Sequence, residues 1–116
     1  MARAALTFGD VLALCSHLPG VEESKSYGTP AIKVKGKLMI RLKEDGESIV
    51  LRTPFVVRDH LMFTQPKVFF ITDHYNDYPA VLVNLALVRK KQLKELLEAI
   101  WREQATPKLV AEYDRK

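Results

Sequence analysis

The chain has 116 residues, the size of one ordinary domain that can bury a core without a disulfide or metal staple. Hydrophobic residues make up 47% and charged residues 28%, a balance that excludes a disordered chain. The formal net charge of +4 admits a polyanionic partner without requiring one.

The opening segment, Met1 to Leu6, lacks the long apolar core of a signal peptide, and no later stretch is apolar enough to cross a bilayer. No membrane partner is therefore expected. Thr7 and Asp10 stand at capping-box spacing, so a first helix should start there. Phe8, Val11, Leu12 and Cys15 fall on one helical face, and Pro19-Gly20 ends the helix. Cys15 is the single cysteine; it reads as a packed core thiol in a reducing compartment, with the cytoplasm as the expected location. Glu22 and Glu23 then read as solvated loop acids.

A three-strand antiparallel meander follows. Ile32 and Val34 alternate with Lys33 and Lys35, and Lys35-Gly36 is a tight turn. Leu38, Ile40 and Leu42 alternate with Lys37, Met39, Arg41 and Lys43. Asp45-Gly46 makes a second turn, and Ile49 and Leu51 continue the apolar side opposite Val50 and Arg52. The period of two thus predicts one apolar face and one basic face. Thr53-Pro54 resembles an N-cap with a first-turn proline, opening a short helix to about Thr64 with Val57 and Leu61 inward.

Val68 to Thr72 reads as a strand, residues 73 to 79 as a polar and aromatic loop, and Val81 to Leu85 as a strand covered on both faces or central in the sheet. The strongest helix spans Lys90 to Gln104, with Leu93, Leu96, Leu97, Ile100 and Trp101 on one side. Pro107 opens a final short helix in which Leu109 and Tyr113 dock. With no linker, repeat or low-complexity tract, residues 1–116 read as a single domain. Helices must cover the apolar side of the sheet, which makes the fold a two-layer α+β sandwich with an antiparallel sheet packed against helices on one face.

Three ordered stretches resemble a known family. Leu18-Pro-Gly-Val-Glu-Glu-Ser24, Tyr27-Gly-Thr-Pro30 and Lys33-Val-Lys-Gly-Lys-Leu38 are similar to the opening of the MmcQ/YjbR family. His74-Tyr-Asn-Asp-Tyr-Pro79 with Val81-Leu-Val83 is similar to its central motif, and Trp101-Arg102 with Ala105 and Pro107 to its C-terminal pattern. Ile100 departs from that pattern, which has a small residue before the tryptophan. The resemblance implies a CyaY-like, frataxin-like arrangement and a role in DNA binding, and it offers no established catalytic residues.

The basic face is the first functional candidate. Lys33, Lys35, Lys37, Arg41, Lys43 and Arg52 would present cations to a phosphate backbone. No aromatic residue interleaves with them, so binding of DNA is expected to be weak and largely independent of sequence. The second candidate is a pocket at His74, Tyr75 and Tyr78 for a small molecule or a protein partner. Asp73, His74 and Asp77 form a poor metal set, because adjacent side chains diverge and no second histidine is near. No nucleophile elbow and no phosphate-cradling glycine loop occurs, so no catalytic residue, metal or cofactor is assigned.

Overall fold

Thr7 caps the start of the first helix as its spacing predicts. Its backbone N–H donates to Asp10 Oδ2 at 2.8 Å, and the Asp10 N–H donates back to Thr7 Oγ1 at 3.1 Å. The computed structural model describes residues 5–26 and 28–115; Tyr27, within one of the family-like stretches, lies outside them, as do Met1 to Ala4. Helix α1 (Phe8–Cys15) leads into β1 (Val21–Ser26), β2 (Thr29–Val34), β3 (Lys37–Leu42) and β4 (Ser48–Arg52). Helix α2 (Phe55–Thr64) and the two-residue strand β5 (Phe69–Phe70) follow. A 3-10 turn (Asp73–Tyr75), β6 (Ala80–Asn84), α3 (Lys90–Gln104) and α4 (Pro107–Asp114) complete the described chain.

The six strands form one antiparallel sheet in the order β1-β2-β3-β4-β6-β5. The fold is α+β, as expected. Val11, Cys15, Leu93, Leu97, Trp101 and Leu109 bring α1, α3 and α4 onto one side of the sheet, against Ile32, Ile40, Leu51 and Val81. Trp101 is fully buried and its Nε1–H donates to the Pro19 carbonyl at 2.9 Å. Leu61 and Met62 of α2 pack at the margin of the same core. Strand β6 is central and buried on both faces, which is why its sequence is an unbroken apolar run.

Several expectations need correction. Residues 21–26 form an edge strand, not a loop; Glu22 and Glu23 lie in it, with Glu22 opposite Lys33. An edge strand with charged side chains resists pairing with other chains, and for the same reason carries no apolar alternation to read. The β2–β3 register also shifts. Ile32 pairs with Ile40, but the next residue, Lys33, pairs with Leu38, leaving Met39 as an extra residue on β3. This bulge breaks the period of two. Met39 and Ile40 are therefore both buried in the main core, and Leu38 turns to the opposite side. In α2, Val57 is exposed and Arg58 is the buried side chain of the helix. Pro54 occupies the N-cap position, and the buried Thr53 hydroxyl donates instead to the Leu51 carbonyl at 2.9 Å. The strand expected over Val68 to Thr72 is reduced to Phe69–Phe70.

Candidate functional site

Directly paired strand residues share a face, so the register assigns Ala31, Arg41, Val50 and Leu82 to the side away from the helices. That face is not a field of lysines. Val50, Ala80 and Leu82 form a small second core with Phe70 and Tyr75. The segment after β5 folds across it: the Tyr75 N–H bonds to the Thr72 carbonyl and the Tyr78 N–H to the Tyr75 carbonyl. The Thr53 N–H ties the end of the segment down through the Pro79 carbonyl at 2.9 Å.

Two arginines hold this segment from opposite sides. Arg41 is only 6% exposed, and its Nη2 donates to the Tyr75 hydroxyl oxygen at 2.8 Å. Its Nη1 donates to Glu44 at 2.9 Å and to the Thr29 hydroxyl at 3.3 Å. Burial works against the Arg41 charge, but the hydrogen bonds to Tyr75 and Glu44 outweigh it and raise its pKa above the ordinary arginine value. Glu44 is held below the usual carboxylate range by its own backbone N–H and by Arg41. Arg58 reaches over from α2, and its Nη1 donates to the carbonyls of Tyr75, Asn76 and Tyr78 at 3.0, 3.2 and 3.0 Å. The Phe55 ring lies 4.7 Å from the Arg58 guanidinium carbon. Arg58 carries no sequence motif. The signal that could have found it is a cation on the side of a short helix where the apolar period calls for a buried residue.

Between the sheet and this segment runs a groove of about 400 Å³. It is lined by Leu38, Val50 and Ala80 of the sheet, by Arg41, Glu44 and Arg52, and by His74, Tyr75, Tyr78 and Pro79 of the crossing segment. The two candidate sets read from the sequence thus meet in one place: His74, Tyr75 and Tyr78 all line it, and of the basic set Arg41 and Arg52 do. The His74 and Tyr78 rings stack at 5.8 Å and 27°, and His74 meets the edge of Tyr75 at 4.8 Å. Tyr78 is 56% exposed, so a planar surface remains open to a ligand. Because the Tyr75 oxygen accepts from Arg41, its own proton points elsewhere, and no acceptor for it is recorded among the described residues.

The remaining lysines do not join the groove. Lys33 lies opposite Leu38 on the same face but is half-buried and paired across to Glu22. Lys35 sits in the β2–β3 turn with φ 50°, beside Gly36 at φ 81°, the two positive values that a tight hairpin turn demands. Lys37 pairs with the core residue Val34, so by register it belongs to the helix side of the sheet, at its exposed end. Lys43 lies just beyond β3, its N–H donating to the Ser48 carbonyl. Among the described residues no three His, Cys, Asp or Glu side chains gather as a metal set. No helix of the described chain is long and apolar enough to cross a membrane.

Comparison with known proteins gives the lineage. The uncharacterized proteins Mb2600 of Mycobacterium bovis and Rv2570 of Mycobacterium tuberculosis are each 43% identical over 54 residues. Those matches cover 47% of this chain and 42% of each relative, so the aligned region spans less than half of either protein. The crystal structure of Deinococcus radiodurans protein DR2400, with a DUF419 domain, superposes with a TM-score of 0.70 at 22% identity. It covers 87% of this chain and 80% of that one, and shows the shared fold. The YjbR family model matches residues 16–103, and on that span the chain belongs to the MmcQ/YjbR family.

Proposed function

We propose that this domain binds a small anionic ligand with a planar portion, of the nucleotide class, in the groove between the sheet and residues 73–79. The observation that carries the reading is the convergence of Arg52, the Tyr75 hydroxyl and the stacked His74–Tyr78 pair around one cavity of about 400 Å³. That volume lies in the range of small-molecule sites. Arg52 is exposed and has no ion-pair partner among the described residues, which suits it to contact an anion. The exposed Tyr78 ring offers a face for stacking. Arg41 has a different role. It orients Tyr75 from beneath and lends positive potential to the groove floor, part of which Glu44 cancels. The reading is one of binding without chemistry. The reducing cytoplasm is the location we infer, which the buried free thiol of Cys15 supports.

Nucleic acid is the second reading. It is favoured by Lys33, whose cross-strand partner Leu38 lines the groove, and by the neighbouring Lys35. It now takes a changed form. The aromatic residues that the meander lacks arrive from the segment after β5, so a single strand suits the face better than a duplex.

The test is a titration of isotope-labelled protein with AMP, followed by amide NMR. Signals of Leu38, Val50, Tyr75 and Tyr78 should move while those of α4 stay fixed. Arg52→Ala should weaken binding about tenfold or more, the value of a charge-assisted hydrogen bond. No shift at millimolar AMP rejects the small-ligand reading. Anisotropy with labelled single-stranded and duplex oligonucleotides across a salt series tests the second, and absence of binding at low salt rejects it.

A further inference from the structure

Helix α2 has two opposite sides. On one, Arg58 is buried and bonds to the carbonyls of residues 75–78, while Leu61 and Met62 pack at the margin of the core. On the other stand Val56, Asp59, His60 and Phe63, all exposed. Their spacing of i, i+3, i+4 and i+7 puts these four on one stripe of the helix. Val56 is 82% exposed and Phe63 87%, the two most exposed large apolar side chains among the described residues. Single apolar residues on a surface are ordinary, but these two stand in line on one helix face. Phe55 and Val57, also exposed, flank the stripe.

The order of the four residues points to a second copy of the same helix. Run α2 antiparallel to itself, with the two-fold axis between positions 59 and 60. Val56 then meets the partner's Phe63, and Asp59 meets the partner's His60. Each contact occurs twice, as an interface on a two-fold axis requires. Apolar residues match at both ends, and in the middle a carboxylate faces an imidazole that can donate to it. Asp59 Oδ1 accepts from Arg58 Nε at 3.2 Å, which leaves Oδ2 for that bond. A parallel pair would set Asp59 against Asp59, like charge on like. A membrane surface suits the stripe less well. Asp59 interrupts its apolar residues, and neither Lys nor Arg stands on it to meet anionic headgroups.

We propose that the exposed stripe of α2 is a homodimer interface, in which two copies pack antiparallel through Val56 and Phe63 with Asp59 and His60 paired across the axis. The contact is one helix face, smaller than the roughly 1,600 Å² of a standard interface. Association should therefore be weak, with Kd of about 10–100 µM. The inference is independent of what the groove binds.

The experiment is analytical ultracentrifugation of the full chain between about 5 and 500 µM, a range that brackets the expected Kd. The parent should pass from monomer to dimer. Phe63→Lys should weaken the dimer at least about tenfold, as loss of a central aromatic contact does. Asp59→Lys should weaken it too, by setting a cation against the partner's His60. Adding His60→Asp to Asp59→Lys should restore it, because the pair is then reversed across the same axis. All three positions are exposed, so the variants should fold, and thermal unfolding of dilute protein checks that they do. A dimer that persists in Phe63→Lys overturns the interface, and failure of the double variant to restore the dimer overturns the antiparallel register. A parent that stays monomeric throughout overturns the proposal. If that monomer pellets with phosphatidylglycerol vesicles the stripe belongs to a membrane, and if it does not, to a different protein.

Discussion

Arg41 and Tyr75, 34 residues apart in sequence, meet through a 2.8 Å hydrogen bond from the guanidinium to the phenolic oxygen. The bond joins the outer face of β3 to the segment that crosses it, and so shapes the groove. Tyr75→Phe keeps the ring in the small core of Val50, Ala80 and Leu82 but deletes the acceptor of a buried cation. The expected cost is about 1.5–3 kcal/mol, the range for hydrogen bonds to charged groups. Urea unfolding of the two proteins measures it. A cost under about 0.5 kcal/mol would mean that the Arg41 bonds to Glu44 and Thr29 suffice to hold the charge.

Arg58 makes a separate prediction. One of its terminal nitrogens serves three carbonyls of the groove wall, and α2 contributes little else that is fully buried. Arg58→Ala should destabilise by about 2–3 kcal/mol, because the carbonyls lose a charged donor. Val57→Ala, one position earlier on the exposed side, should fall within about 0.5 kcal/mol of the parent. Hydrogen exchange adds a local readout: the Tyr78 amide, bonded to the Tyr75 carbonyl, should exchange faster in Arg58→Ala.

Trp101 anchors the helical layer. It is fully buried, donates to the Pro19 carbonyl and meets the Tyr113 ring edge-on at 5.2 Å. Trp101→Ala should cost about 3–5 kcal/mol through lost burial and the cavity left behind. Trp101→Phe should recover much of the packing but not the bond to Pro19. Denaturant midpoints of the three proteins order them, and equal midpoints for parent and Trp101→Ala would refute the anchor.

Cys15 predicts a pH effect at the alkaline end. Burial raises its pKa from 9.0 to about 11, because the thiolate has no water around it. Its folded pKa is raised, so its contribution to stability is complete below about pH 9 and declines as pH rises through 11. At pH 8 the folded protein should react with iodoacetamide only as fast as it opens, and at full speed in denaturant. Rapid labelling of the native protein at pH 8 would show the thiol to be accessible. Cys15→Ala should flatten the alkaline decline in stability, read from unfolding curves between pH 8 and 11.

Much of the architecture follows from short-range pattern. The ends of α3 at Lys90 and Gln104 are where the apolar period of 3.6 starts and stops, and Thr7 with Asp10 sets the start of α1 by local hydrogen bonds. Lys35-Gly36 and Asp45-Gly46 mark hairpins because Lys35, Gly36 and Gly46 take up the positive φ those turns require. The apolar run of β6 reveals a strand covered on both faces. All of these are decided within a few residues of chain.

The site is decided over longer distances. Met39 is inserted because β2 and β3 slip in register, and that slip sends Leu38 to the groove and both Met39 and Ile40 to the core; alternation along β3 alone assigns Leu38 and Met39 the reverse. Strand β1 exists because β2 offers it an edge, not because 21–26 has an apolar side. Arg41 and Arg58 look like surface cations in sequence, yet both are buried, because partners from residues 75–78 satisfy them. Burial of a charge depends on which distant groups reach it, and only the assembled sheet, with residues 73–79 folded across its outer face, brings those groups within bonding distance.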